Sequence, residues 1–117
     1  MKYKIVKLDG RWSYRQHFEH AIIFPGSMGM SKGPLHFAEA QNWFFDTYGW
    51  SAEIRQWADI KKYYSNPYLY VNGIPPELPG CVNPFWSWTN GYDDLRIYVK
   101  SSQELTLFTL KYPVDQK

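Results

Sequence analysis

Apolar and polar positions roughly alternate over residues 2–8, where Tyr3, Ile5, Val6 and Leu8 stand among Lys2, Lys4 and Lys7. A second such stretch, Arg11-Trp12-Ser13-Tyr14-Arg15, follows Asp9-Gly10. Asp-Gly between two alternating stretches is a hairpin signal, because a type I′ turn needs positive φ at both central residues. The pattern therefore predicts a hairpin of 2–8 and 11–16. Ala21-Ile22-Ile23-Phe24 is a continuous apolar run ended by Pro25-Gly26, and reads as a buried strand continuing the hairpin's second arm.

Residues 25–33 hold three glycines and no periodicity, so they form a loop. Pro34 then stands where a first helical residue belongs, and Phe37, Ala38, Gln41, Phe44, Phe45 and Tyr48 recur at helical spacing up to Gly49. This predicts a helix over 34–48 with Gly49 as its stop. Residues 50–57 fit either a strand or the start of a helix with Trp50, Ile54, Trp57 and Lys61 on one side; the strand reading is preferred, with a short helix at 58–64. Asn66-Pro67 breaks that helix, 68–71 reads as a short strand, and Asn72-Gly73 turns the chain. Prolines and glycines then mark 72–92 as a long irregular loop. Leu95 to Lys100 alternates as a strand, and Ser101-Ser-Gln-Glu104 has capping-box spacing, which favours a helix over 102–111 rather than a further strand. These elements add up to a single α+β domain over 1–117: a mostly antiparallel sheet with an N-terminal hairpin, one main helix packed on one face, and a short C-terminal helix.

Composition narrows the chemistry. The 13 Lys+Arg nearly balance the 11 Asp+Glu, which makes no strong claim on nucleic acid. No run is long and apolar enough for a signal peptide or a membrane span, so a cytoplasmic location is the expectation. The one cysteine, Cys81, leaves no intramolecular disulfide, and its uncharged neighbours give no reason for reactivity. His17, Glu19 and His20 lie close in sequence with His36 further on, but in an extended segment residues three apart point to opposite sides, so no metal site is expected. Asp93-Asp94 reads as a turn. No cofactor is implied, and no catalytic set emerges, so an enzyme is not expected. One loop has the layout of an anion site: Gly26, Ser27, Gly29, Ser31 and Lys32 precede a helix N-terminus. Its spacing matches neither phosphate-binding fingerprint, and Pro34 removes a donor.

Six Trp, ten Tyr and seven Phe make up 20% of the chain, more than a core of this size obviously needs. Those on helix 34–48 and the strands read as core. Phe85, Trp86, Trp88 and Tyr92 fall in the proline-rich loop, where no periodicity directs them inward, and form the candidate partner-binding set or a lid over the sheet. The closing pattern, Arg96-Ile97-Tyr98-Val99-Lys100, a polar turn and Glu104 to Tyr112, resembles the C-terminal end of short accessory proteins of tailed bacteriophages. The resemblance implies a protein made in an infected bacterium that binds a host or phage macromolecule, and it assigns no functional residue. The leading expectation is thus a small non-enzymatic protein that binds and modulates or inhibits a host defence or regulatory factor through an aromatic surface. The alternatives are a nucleic-acid or nucleotide binder, stacking bases on aromatics beside Lys2, Lys4, Lys7, Arg11 and Arg15, and a self-associating virion or assembly component.

Overall fold

The computed structural model describes residues 1–12, 14–26, 32–91 and 94–114. Strands β1 (Lys4–Lys7), β2 (His20–Phe24), β3 (Trp86–Gly91) and β4 (Asp94–Val99) form one antiparallel sheet in the order β1-β2-β4-β3. Helices α1 (Gly33–Tyr48), α2 (Ile54–Tyr64) and α3 (Ser102–Lys111) complete the α+β architecture.

The pleat divides the sheet into two buried faces, since successive side chains point to opposite sides. Ile22 and Phe24 of β2, Leu95, Ile97 and Val99 of β4, and Trp86 of β3 share one face with Phe37, Ala40 and Phe44 of α1 and Phe108 of α3. The opposite face carries Ala21 and Tyr98, covered by Ile54 and Trp57 of α2 and by Leu8 and Phe18 from the β1–β2 connection. Cross-strand pairs hold the register: Ile22 sits opposite Ile97, Ala21 opposite Tyr98, and Trp86 opposite Val99. Each fully buried Phe or Ile contributes roughly 1.5–3 kcal/mol of hydrophobic stabilisation. Such burial decides the sheet's orientation.

Helix α1 carries Pro34 in its first turn and ends at Gly49, whose φ of 94° few other residues tolerate. Gly33 serves a different need. A Cβ there would lie 1.9 Å from the Pro25 carbonyl oxygen, so the close passage of the chain past the start of α1 admits only glycine. The capping box of α3 forms as the sequence predicts: the Ser101 hydroxyl accepts from Gln103 N and donates to the Glu104 carboxylate, which accepts from Ser101 N at 3.1 Å.

Four sequence expectations are corrected. The N-terminal hairpin exists, but its second arm is 20–24 and not 11–16. Residues 9–12 and 14–18 instead make turns, with Trp12 N donating to Asp9 O and Phe18 N to Tyr14 O, and Phe18 sits under the sheet on Trp57. Residues 54–57 are helical, because Ile54 and Trp57, three apart, reach one face together and the Glu53 carboxylate accepts from Arg55 N at 2.6 Å. In place of a strand at 68–71, residues 67–69 make one tight 3-10 turn, started by Asn66 Oδ1 accepting from Tyr68 N. Lastly, the segment expected as loop up to residue 92 becomes strand β3 at Trp86, where Trp86, Ser87, Trp88 and Thr89 alternate between the two faces.

Candidate interaction surface

The connector between α1 and α2 passes from one face of the sheet to the other around the outer edge of β3. Glu53 makes a parallel bridge with Trp88. Four side-chain bonds fasten the connector to the strand. Trp86 Nε1 donates to Gly49 O at 2.9 Å and Trp88 Nε1 to Ser51 O at 2.9 Å, while Ser51 Oγ donates to Trp86 O at 2.8 Å and Ser87 Oγ to Ala52 O at 2.7 Å. Asn83 extends the fastening: its Nδ2 donates to Tyr48 O at 2.7 Å, its Oδ1 accepts from Phe85 N, and its carbonyl accepts from Trp57 Nε1 at 2.8 Å. Buried donors and acceptors left unpaired would each cost about 1–3 kcal/mol, so this ladder makes the crossover tolerable inside the protein.

The expected partner-binding set is dispersed by this arrangement. Trp86 has no exposed surface, stacks on Phe44 at 5.3 Å and meets Phe45 edge-on at 5.2 Å, so it belongs to the core and not to a contact surface. Trp88 is half-buried in the ladder. Phe85 is exposed and lies against Tyr48 at 5.5 Å. Tyr92 lies outside the described residues. So do Ser27, Gly29 and Ser31 of the expected anion loop; its flanks are Gly26, half-buried, and Lys32, exposed and directly before α1.

The remaining candidates do not converge. His17 packs edge-on against Trp57 at 5.0 Å, and burial, with Lys61 adding to it, lowers its pKa below the ordinary histidine value. His36 Nδ1 accepts from Lys2 N. Among the described residues no three His, Cys, Asp or Glu side chains could hold a metal together. Two clefts flank Tyr14. One, of about 460 Å³, lies between residues 14–17 and α2 and includes His17, Asp59, Lys61 and Lys62. The other, of about 250 Å³, includes Arg55, Thr89, Asp94 and Tyr98. Charges at the second cleft neutralise one another, Asp94 with Arg96 at 2.5 Å and Arg55 with Glu53 at 3.2 Å, and burial raises the Tyr98 phenol above its ordinary pKa.

What the fold does expose is the arm between α2 and β3. From Ser65 to Gly80 only Leu69, Pro76 and Pro79 are even half-buried. Tyr68 is 95% exposed, Val71 71% and Ile74 68%, and Tyr63, Tyr70 and Leu78 are exposed beside them. None of these side chains joins either core. The arm is nevertheless ordered by local chemistry. The Asn66 side chain fixes the 3-10 turn, and Val71 and Ile74 bridge across Asn72 and Gly73, whose φ values of 56° and 75° are those a type I′ turn needs. A molecule of 56 × 27 × 26 Å with a radius of gyration of 15.5 Å exceeds the roughly 13 Å expected of a compact chain this long, as a projecting segment requires. Sequence reasoning passed over these residues because it read 68–71 as a strand. The signal was present in Asn66-Pro67, Asn72-Gly73, Pro75-Pro76 and Pro79-Gly80, turn pairs set so closely that no apolar side chain between them has an element to carry it inward.

No known protein family, curated protein or solved structure matches the chain. No helix among the described residues is long and apolar enough to cross a membrane.

Proposed function

We propose that this protein is a small non-enzymatic binding protein that modulates or inhibits a partner protein through the arm between α2 and β3. The observation that carries the reading is the row of large apolar side chains, Tyr68, Val71 and Ile74, held in a locally ordered turn outside both cores. Exposed large apolar side chains gathered in one short segment point to an interaction site, and tyrosine is among the residues that dominate interface energetics. The C-terminal resemblance to accessory proteins of tailed phages supports a macromolecular partner from the host or the phage.

Affinity capture from the native cell with the wild-type chain and with a Tyr68→Ser/Val71→Ser/Ile74→Ser variant tests the reading. Exposed positions of this kind change stability by only about 0.5 kcal/mol each, so the two baits should melt within about 6 °C of each other. The partner should be lost by the variant, since one buried hot spot is worth about 2 kcal/mol, or roughly thirtyfold in affinity. Equal recovery by both baits would refute the arm as the contact surface, and recovery of nucleic acid in place of protein would refute the class of partner.

A further inference from the structure

Ile74-Pro75-Pro76-Glu77-Leu78-Pro79 forms neither helix nor strand, and no backbone–backbone hydrogen bond among the described residues involves 75–78. The sequence dictates its conformation. Proline rings fix φ near −65° at 75, 76 and 79, and the residue before a proline is confined to the extended and polyproline region, which binds Ile74, Pro75 and Leu78. Glu77 alone is unconstrained. The pattern predicts a left-handed polyproline II helix, with three residues per turn and no internal hydrogen bonds.

Exposure carries the same period of three. Pro76 and Pro79 are half-buried, whereas Ile74, Pro75, Glu77 and Leu78 are exposed. A helix with three residues per turn has three edges, and here one edge, Pro76 and Pro79, rests on the protein while two face outward. Pro75 and Leu78 make one outward edge and Ile74 and Glu77 the other. Glu77 has no ion-pair partner among the described residues.

On the basis of the binding function proposed above, we infer that residues 74–79 are a preformed polyproline ligand for a partner domain with an aromatic-lined groove bearing a basic residue at its rim. Grooves of this type recognise such helices because the ligand is already extended and loses little conformational entropy on docking. The outward edge of Pro75 and Leu78 fills the groove between aromatic rings, and the Glu77 carboxylate meets the basic rim.

The test uses the full chain, the protein it captures, a Pro75→Ala/Leu78→Ala variant and a ten-residue poly-L-proline peptide as competitor. Both replaced side chains are exposed, and melting curves verify that the variant is folded. At least tenfold weaker capture by the variant, with displacement of the partner by poly-L-proline, is the expected result. Wild-type capture by this variant, alongside loss of capture by the Tyr68→Ser/Val71→Ser/Ile74→Ser variant, would overturn the polyproline inference and leave the binding function standing. Weaker capture that poly-L-proline does not compete with would also overturn the inference. Capture by both variants, or no captured protein at all, would overturn both readings.

Discussion

Replacing Trp86 by Ala separates the two roles that an aromatic side chain in a proline-rich stretch could have. A contact-surface Trp would cost binding and leave stability alone; the structure demands the reverse. The indole is wholly buried between Phe44 and Phe45 and its N–H is bound to Gly49 O. Removing about 200 Å² of buried aromatic surface at about 25 cal/mol per Å² costs about 5 kcal/mol before the site relaxes. Truncation of a core Trp to Ala typically costs about 3–5 kcal/mol. Asn83 Nδ2, 3.4 Å from the Gly49 oxygen, remains to satisfy that carbonyl, so the lost hydrogen bond adds little and about 4 kcal/mol is the working figure. A domain of this size has a total stability of roughly 5–15 kcal/mol. Urea denaturation followed by far-UV circular dichroism reads the change directly: with a slope of about 2 kcal/mol per molar urea, the midpoint should fall by about 2 M. Trp86→Phe keeps a ring on Phe44 but removes the pyrrole part of the indole along with its N–H, and the small cavity left, about 1–2 kcal/mol, should lower the midpoint by about 0.5–1 M. A Trp86→Ala midpoint within about 0.3 M of wild type would refute the placement of this side chain in the core and return it to the surface.

Gly33→Ala drives a Cβ to 1.9 Å from Pro25 O, so although alanine is the better helix former by about 1 kcal/mol, the net effect is a loss of about 2 kcal/mol or more. This is a melting-temperature drop of about 8 °C; a rise would show that the chain can move aside. Ser101→Ala removes the N-cap of α3 and a partner of the buried Glu104 carboxylate, and should cost about 1 kcal/mol, read by thermal melting and by faster amide exchange in the first turn of α3. His17 has a lowered pKa in the folded protein, so below its ordinary value of about 6.5 the unfolded chain binds the proton more readily, and stability falls as pH drops through that region. Melting at pH 8 and pH 5 should therefore show a larger acid-side loss for wild type than for His17→Gln; equal losses would contradict the burial of the ring.

Elements whose signal is local were readable from the chain. Helix α1 follows from one apolar stripe between Pro34 and Gly49, and α3 from the Ser101–Glu104 box, which resolved its helix-or-strand ambiguity correctly. Elements decided by long-range contact were not. Asp9-Gly10 signals a tight hairpin, but Phe18 has a place under the sheet beside Trp57 and Tyr98, and the turns of 9–12 and 14–18 serve that burial rather than a two-residue loop. Helix α2 starts from a glutamate cap, an uncommon residue for the task, so its N-terminus carried no recognisable mark. The aromatic surface moved for a related reason. Prolines up to Pro84 made the whole of 72–92 look irregular, although Trp86-Ser87-Trp88-Thr89 alternates as a strand with both faces covered. Its indoles needed carbonyl partners, and those come from Gly49 and Ser51, far earlier in the chain.

The connector that rounds β3 also decides how this protein can assemble with copies of itself. Open β-sheets stack strand upon strand into fibres only if they offer an unpaired edge on each side. Here 49–53 occupies one side along the first half of β3, leaving Thr89 to Gly91 as a stub beyond it. The opposite side is β1, four residues long, with exposed Lys4 and Lys7 at its ends. Among the described residues β1 is thus the one full-length open edge, and two copies joined through it in antiparallel fashion form a pair with only the short Thr89 to Gly91 stub of each β3 left to recruit a third. Detaching the connector would restore the second edge, so variants that break the Trp86, Ser87 and Trp88 bonds to it are where open-ended aggregation of this chain should begin.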